Sequence, residues 1–232
     1  MNETIIAITM RTSNAHEYYE PRLAISVDWM DYLTHINCLP VLIPTVSKIS
    51  GHCFDRSNAE ILLLTGGDDV QIRLCAEFSS FQENHTGSER DISEMGLIKK
   101  AIDNGVPIIG VCRGFQLLNL YFGGKLGLLS DQEIARNHSN GEHWIEIVDS
   151  KFQTLLGAEK IKVNSFHRFG IQRHEIGRDL IVAGVSGDGL VEAFYHSKLP
   201  IIALQWHPER DENFESSASV LIRKFIESKG LC

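Results

Sequence analysis

The segment Gly-Val-Cys-Arg-Gly-Phe-Gln, residues 110–116, decides the fold that the sequence predicts. It follows the apolar run Pro107-Ile108-Ile109 and leads into residues 115–120, which have helical spacing. A G-x-C-x-G motif where a strand meets a helix is the pattern of a nucleophile elbow, with cysteine in place of serine. The turn is expected to lift Cys112 out of the sheet toward solvent, and the helix dipole then favours its thiolate. A buried structural cysteine between two glycines fits this short motif equally well.

Length and composition favour one α/β domain spanning residues 1–232. The chain is 43% hydrophobic and 22% charged, close to the globular average. A net charge of −8 argues against a general binder of nucleic acid or anionic membranes. The N-terminal residues lack the basic region of a signal peptide, and no apolar run reaches membrane-spanning length. We therefore expect a cytoplasmic protein without nucleic-acid or membrane partners, with a homodimer as an open alternative.

The cysteines and histidines suggest neither a disulfide framework nor a metal centre. The five cysteines are scattered, odd in number and without a CxxC pair. This pattern fits a reducing cytoplasm, in which one thiol can be kept as a nucleophile. His138 and His143 could contribute to a metal site, but no third ligand of suitable spacing accompanies them. We expect surface or packing roles for both histidines, and no metal or organic cofactor.

The first half of the chain alternates apolar strands with amphipathic helices, which predicts a mostly parallel sheet covered on both faces. Strands are expected at residues 5–10, 39–44 and 61–65, and helices at 22–37 and 91–104. The apolar stripe of the first helix would be Leu23, Val27, Met30 and Leu33. Residues 71–88 are polar and irregular and predict a loop near the strand ends.

Past Gly124 the strand-like runs become shorter, and several alternate in polarity. They are separated by turn signals such as Gly187-Asp188-Gly189, so additional antiparallel strands are expected in this half. These runs lie at residues 143–148, 161–165, 180–185, 190–195 and 201–206, followed by a last helix at 216–229. The sequence predicts an α/β fold with a central, mostly parallel sheet and antiparallel additions.

A second informative segment is Gln205-Trp206-His207-Pro208-Glu209, which follows the last predicted strand. A thiolate nucleophile needs a base that takes its proton and a third group that orients the base. His207 can serve as the base, and Glu209, two residues on, can fold back to the imidazole. Taken alone, this segment fits a surface turn better.

Together the two segments resemble the class I glutamine amidotransferase-like superfamily, which implies a three-layer α/β/α flavodoxin-like fold. Cys-Arg-Gly-Phe-Gln, in place of Cys-Leu-Gly-His-Gln, resembles the γ-glutamyl hydrolase branch, which is peptidase C26-like. Four further motifs occur in the expected order: Thr65-Gly66-Gly67 with Asp69, Arg90-Asp91 with Glu94, Asn164-Ser165-Phe166-His167, and Asp188-Gly189-Leu190-Val191-Glu192-Ala193. The resemblance therefore extends along most of the chain. We interpret Arg90 and Asp91 as an ion pair or helix start near the site.

The resemblance implies a role for each matching residue. Cys112 would be the nucleophile, His207 the base and later the acid, and Glu209 the orienting carboxylate. The backbone N–H groups of Gly67 and Arg113 would form the oxyanion hole. Five residues are expected to border the glutamyl moiety or the leaving group: Gln116, Ser165, Phe166, His167 and Arg168. The implied reaction is attack on a γ-carbonyl, release of an amine-like leaving group and hydrolysis of a γ-glutamyl thioester.

Arg168 stands where this branch commonly continues with His-Gln, and the loop after Gly67 lacks the usual proline. A guanidinium near the leaving group would suit phosphate or carboxylate, so we expect an anionic leaving group. The alternative is that Arg168 is a surface residue on a variable turn. The resemblance, and not the spacing of residues, makes γ-glutamyl-CDP-amidate the first candidate substrate, which would give CDP-phosphoramidate (cytidine diphosphoramidate) and glutamate in capsule biosynthesis. The motifs fit γ-glutamyl-γ-aminobutyrate equally well.

Two other classes of function remain open at this point. The chain could be a glutaminase subunit that delivers ammonia to a separate synthase. It could also be a binding protein that keeps the fold without the chemistry, although the intact cysteine, histidine and glutamate argue against this.

Overall fold

The structure is a computed structural model that describes residues 3–15, 17–71, 88–212 and 214–230. Its strands, in chain order, are β1 Thr4–Thr9, β2 Arg11–Asn14, β3 Pro21–Ala24, β4 Cys38–Ile43, β5 Ile61–Leu64, β6 Ile108–Val111, β7 Gly127–Leu128, β8 Gly141–Ile147, β9 Lys160–Ser165, β10 Phe169–Gly170, β11 Leu180–Ser186, β12 Val191–His196 and β13 Ile201–Leu204. Its α-helices are α1 Val27–His35, α2 Ser47–Arg56, α3 Glu89–Asp103, α4 Arg113–Tyr121, α5 Gln132–Ser139, α6 Ser150–Leu156 and α7 Ser217–Ser228.

The described residues build a nine-stranded mixed sheet in the order β4-β1-β5-β6-β13-β12-β11-β8-β9. The pairings from β4 through β13 are parallel, and those from β13 through β9 are antiparallel. This arrangement confirms the predicted α/β class, with a parallel sheet and antiparallel additions in the C-terminal half. Pro40 is tolerated inside β4 because that strand lies at the sheet edge.

Helices cover both faces of the sheet, because successive side chains of each strand point to opposite sides. Ile6, Ile8, Leu63 and Leu204 pack on one face with residues of α1, α6 and α7. Ala7, Leu62, Leu64 and Ala203 pack on the other face with residues of α2, α3 and α4. The near-continuous apolar runs of the strands therefore supply two cores, and the sheet forms the middle of three layers.

The prediction of a helix at residues 22–37 was wrong for its first turn. Pro21–Ala24 instead pairs with Arg11–Asn14 as a hairpin, and α1 begins only at Val27. Leu23 matched the helical spacing by coincidence, since its backbone is used by the hairpin. The buried residues of α1 are Trp29, Tyr32 and Leu33, whereas Val27 is 69% exposed.

Three helices, α2, α5 and α6, went unpredicted. Each begins beside polar residues and carries only a short buried stripe, which weakens the periodic signal in a single sequence. The predicted loop at 71–88, with Arg73 and Cys75, lies outside the described residues except at its two ends. Within the described part of the chain, no helix has the length and apolar character needed to span a membrane.

Candidate active site

The parallel sheet brings three strand ends to one edge. β13 lies between β6 and β12, with Leu204 beside Val111, and β5 flanks β6 on its other side. The backbone N–H of Cys112 donates to the carbonyl of Leu204 over 2.8 Å, which extends the ladder past the strands. The carboxyl ends of parallel strands meet at one edge, so Cys112, His207 and the Gly66-Gly67 turn converge there.

Cys112 itself makes the sharp turn between β6 and α4. Its φ is 53° and its ψ is −100°, a conformation that non-glycine residues rarely adopt. Gly110 and Gly114 do not have positive φ values. Glycine is needed at these positions because the space for a side chain is filled. A Cβ on Gly114 would lie 2.4 Å from the carbonyl oxygen of Leu64. Strain at Cys112 is thus held in place by close packing on either side.

The expectation that Cys112 projects toward solvent was wrong, since the residue is only 6% exposed. It lies at the floor of a cleft of about 430 Å³ whose lining includes Arg11, Phe166, His207 and Arg210. The residues that line the cleft surround the sulfur, among them residues 11–13 and 67–68. A reagent or substrate reaches the sulfur through this cleft.

His207 and Glu209 meet as the local sequence predicts. The Nδ1 atom of His207 lies 2.7 Å from Oε1 of Glu209, and both side chains are buried. Pro208 begins a single 3₁₀ turn at residues 208–210, which brings the carboxylate back to the ring. With Nδ1 donating to Glu209, the Nε2 atom of His207 is left to act on the sulfur side.

The charges of Cys112 and His207 stabilise each other. Burial alone would raise the pKa of Cys112, but the positive charge of His207 and a hydrogen bond with it bring this pKa below its ordinary value. Burial alone would lower the pKa of His207, but the Cys112 thiolate and the Glu209 carboxylate raise it to about 9. The pair therefore favours a thiolate beside an imidazolium.

The Gly66-Gly67 turn packs directly against the cysteine and histidine. A Cβ on Gly66 would lie 2.7 Å from Cε1 of His207 and 3.4 Å from Cβ of Cys112. Gly67 has a φ of +134°, which favours glycine, and a Cβ there would lie 2.6 Å from Nη1 of Arg90. Both glycines are needed for this approach.

Arg90 fixes the direction of the turn. Its Nη2 donates to the carbonyl of Thr65 at 2.9 Å and to the carbonyl of Gly66 at 3.1 Å. A trans peptide has its N–H opposite its C=O, so holding the Gly66 carbonyl toward Arg90 turns the Gly67 N–H the other way. Arg90 is itself held by Glu94, 3.0 Å from its Nε.

The side chain of Arg113 lies beneath the elbow and away from the cleft. It forms buried ion pairs with Asp91 and Glu94 of α3. Asp91 also completes a capping box with Ser88 at the start of α3. Arg90 and Asp91 lie at the predicted helix start, but their ion-pair partners are Glu94 and Arg113 and not each other. The Arg113 N–H is at the first position of α4, where helical N–H groups lack intrahelical partners.

The residues expected to hold the glutamyl moiety occupy three different surroundings. Phe166 lines the cleft and packs edge-on against His207, with 5.7 Å between ring centroids. Gln116 is buried and donates to the carbonyl of Phe169 and to Gln205. The Ser165 hydroxyl donates to the carbonyl of His138. The buried His167 side chain turns away from the cleft toward Glu192.

Arg168 does not line the cleft. Its side chain is 69% exposed and pairs with Asp69 at 2.5 Å. This position agrees with the alternative that Arg168 is a surface residue, since its guanidinium pairs with Asp69 in the loop after β5. Arg11 and Arg210 are the cationic residues that line the cleft with Cys112. The sequence analysis overlooked both, and neither carries a local motif that would have identified it.

A buried cluster behind the cleft also differs from expectation. His138 is 1% exposed, which excludes the surface role and leaves the packing role, the other alternative that the sequence offered. His138, His167 and Glu192 place ligand atoms within 4.8 Å of one another, a set of residue types that could hold a metal ion. The sequence did not identify His167 and Glu192 as neighbours of His138, because the three residues come from separate parts of the chain.

Residues 4–209 match the family described as Peptidase C26. The chain belongs to this family. A relative from Lactococcus lactis subsp. lactis, whose name describes it as glutamine amidotransferase-like, is 36% identical over 64% of this chain and 65% of its own length. The matched segment thus spans slightly less than two thirds of that relative.

Two further comparisons cover nearly the whole chain. The γ-glutamyl-CDP-amidate hydrolase of Campylobacter jejuni subsp. jejuni is 27% identical over 91% of this chain and 92% of its own length. The glutaminase domain of Trypanosoma brucei CTPS, solved with bound acivicin, superposes with a TM-score of 0.66 at 14% identity, covering 98% of this chain and 94% of that domain. The fold of this Peptidase C26 member is that of class I glutamine amidotransferases.

Proposed function

We propose that this chain hydrolyses a γ-glutamyl amide-type bond and releases L-glutamate, with Cys112 as the nucleophile. The observation that carries the proposal is the strained, cleft-facing cysteine whose charge is coupled to a buried histidine–glutamate pair. Family membership supports the same class of reaction. In this proposal Glu209 holds the imidazole with its Nε2 atom toward the sulfur.

The reaction begins when the thiolate of Cys112 attacks the γ-carbonyl carbon. The carbonyl oxygen becomes an oxyanion, which the N–H groups of Gly67 and Arg113 would stabilise by about 3 kcal/mol each. The C–N bond then breaks, and the imidazolium of His207 gives its proton to the leaving nitrogen. Neutral His207 next removes a proton from water, which attacks the thioester. Glutamate leaves, and the sulfur regains its original state.

The cleft is lined by two guanidinium groups and one carboxylate, Asp68, a balance that favours an anionic group in the substrate. Arg11 forms no ion pair with another described residue, and Arg210 stacks on Phe166 with 4.5 Å between its guanidinium carbon and the ring centroid. Either guanidinium can bind a carboxylate or a phosphate through two parallel N–H donors. The Campylobacter relative is named for a nucleotide-containing substrate, so γ-glutamyl-CDP-amidate is our first candidate and γ-glutamyl-γ-aminobutyrate the second.

A neighbouring groove limits where that anion can lie. It has a volume of about 760 Å³ and shares Phe166 and Arg210 with the cleft. Its lining includes four carboxylates, Glu142, Asp211, Glu212 and Glu215, against the two cations Lys162 and Arg210. A phosphate would be repelled there, so an anionic leaving group is expected to stay on the Arg11 side of Phe166.

The test is glutamate release from glutamine, γ-glutamyl-γ-aminobutyrate, γ-glutamyl-putrescine and γ-glutamyl-CDP-amidate by the parent, Cys112→Ala and Arg11→Ala proteins. We expect glutamate release to require Cys112. In Arg11→Ala the KM for the anionic substrates should rise about tenfold or more, because one charged hydrogen bond to the substrate is lost. Arg168→Ala is the matched control and should change little.

Release that survives Cys112→Ala contradicts the mechanism. Preference for the cationic putrescine amide contradicts the anionic leaving group. Activity that appears only after a synthase is added would favour the glutaminase-subunit alternative.

A further inference from the structure

We propose that His138, His167 and Glu192 form a buried binding site for one divalent transition-metal ion, with zinc as the first candidate. The site lies behind the cleft and includes none of Cys112, His207 and Glu209. His167 was expected to border the glutamyl moiety, but its side chain lies beside Glu192. It is built from three elements: α5 contributes His138, β12 contributes Glu192, and His167 follows β9.

The distances between the ligand atoms fit a metal ion. Nδ1 of His138 lies 3.1 Å from Nε2 of His167. Oε1 of Glu192 lies 3.4 Å from the former atom and 3.6 Å from the latter. Ligand atoms 2.0–2.2 Å from a tetrahedral ion are about 3.3–3.6 Å apart. Two of the separations fall in this range and the third, 3.1 Å, is slightly shorter, so the three atoms outline one face of a tetrahedron close to the size that zinc adopts.

In each imidazole, the ring nitrogen on the far side donates a hydrogen bond. The other ring nitrogen therefore directs its lone pair toward this face. Nδ1 of His167 lies 2.8 Å from the carbonyl oxygen of Phe169, which can only accept, so this nitrogen carries the proton. Nε2 of His138 lies 2.9 Å from the Asp188 carboxylate and is likewise the donor. Such outer carboxylate and carbonyl partners are the usual support of metal-binding histidines.

The arrangement leaves negative charge and lone pairs without a partner. Neither carboxylate oxygen of Glu192 accepts a hydrogen bond from a described residue, although the side chain is 1% exposed. Both ring nitrogens of His143, one of them 3.7 Å from Glu192, are also unpartnered. A buried carboxylate needs positive charge beside it, which a metal ion or a protonated neighbouring histidine can provide. A metal ion supplies it, with His143 beside it as a potential fourth ligand.

The three ligands are buried behind the cleft, so a metal ion bound to them would affect the structure and would not contact the substrate. The carbonyl of His138 accepts hydrogen bonds from the Ser165 hydroxyl at 3.0 Å and from the His167 N–H at 2.7 Å. Between these two residues lies Phe166, which lines the cleft and packs on His207. A metal ion bound here would fix the segment that forms the cleft wall.

The experiment uses the full chain in a Cys112→Ser background, which removes the one thiolate near the site. The protein is unfolded with a chelator, refolded with or without zinc sulfate, desalted and analysed for metal by mass spectrometry. We expect about one zinc per chain after refolding with zinc and a higher melting temperature than that of the metal-free protein. Glu192→Gln should retain at least tenfold less zinc, whereas His174→Ala, which removes an exposed histidine, should retain it fully.

A second measurement covers the case in which Glu192→Gln does not fold. Cobalt(II) refolded into the Cys112→Ser protein should give the intense visible absorption of a tetrahedral site with nitrogen and oxygen ligands. Zinc below about a tenth of an equivalent, or no such cobalt spectrum, would overturn the proposal. Either result would mean that a proton shared between His138 and His167 supplies the positive charge.

Discussion

The side chain of Asn164 holds the main chain of His207 from both sides. Its Nδ2 donates to the carbonyl of His207 at 2.7 Å, and its Oδ1 accepts from the N–H of His207 at 2.8 Å. Asn164 belongs to β9, at the opposite edge of the sheet order from β4, so this amide connects the antiparallel part of the sheet to the loop that carries His207. No role was predicted for Asn164 from the sequence.

Replacing Asn164 by alanine should slow the enzyme while leaving it folded. Two hydrogen bonds of about 1 kcal/mol each hold His207, so we expect kcat/KM for glutamate release to fall roughly 30-fold. The matched control is Asn104→Ala, at the exposed end of α3, which should behave like the parent. Unchanged kinetics in Asn164→Ala would mean that Glu209 positions the histidine alone.

Arg90→Lys should lower kcat more than it raises KM. Lysine keeps the charge but cannot bridge the Thr65 and Gly66 carbonyls together with Glu94, as the guanidinium does. The Gly67 N–H would then lose its fixed direction, and we expect a 10- to 100-fold loss of kcat, roughly the effect of weakening one oxyanion donor. The loss of kcat is measured by steady-state kinetics, with the exposed variant Arg56→Lys as the control. A change confined to KM would place the effect in substrate binding.

Gly66→Ala should abolish turnover, because the added methyl group would lie 2.7 Å from the His207 ring. The imidazole would have to move away from Cys112. Gly96→Ala is the matched control, because a methyl group at this helical glycine would meet no neighbouring atom within 4 Å. Alanine there should raise the free energy of unfolding by up to about 1 kcal/mol. Activity in Gly66→Ala above a tenth of the parent rate would contradict the packing that the structure shows.

The rate of glutamate release should have a defined alkaline limb. Acylation needs the Cys112 thiolate and protonated His207. The raised pKa of His207, about 9, keeps the imidazolium present until the pH approaches that value, so kcat/KM should fall as the pH rises through about 9. On the acid side the lowered pKa of Cys112 keeps the thiolate present below the range of an ordinary thiol. Iodoacetamide inactivation requires only the thiolate and should lack the alkaline decline. An alkaline limb near 6.5 would show that the two charges are not coupled.

Local sequence predicted the parts of the site that lie within a few residues of one another. An apolar strand, a cysteine between two glycines and a helix form a continuous segment, so the elbow is visible in the chain itself. Glu209 follows His207 by two positions across a proline, so their contact was also expected. Near-continuous apolar runs likewise predicted the parallel strands, because burial on two faces requires apolar residues at successive positions.

Only the tertiary structure decided the contacts between distant segments. The parallel pairing of β6 with β13 brings Cys112 to His207, a contact that the sequence supported only by resemblance. Arg168 seemed placed to meet a leaving group, but Asp69, 99 positions away, draws it into an exposed ion pair. His138 gave no sign of its buried partner His167, 29 positions on. Such pairs depend on how the sheet is ordered, and no local periodicity or propensity records that order.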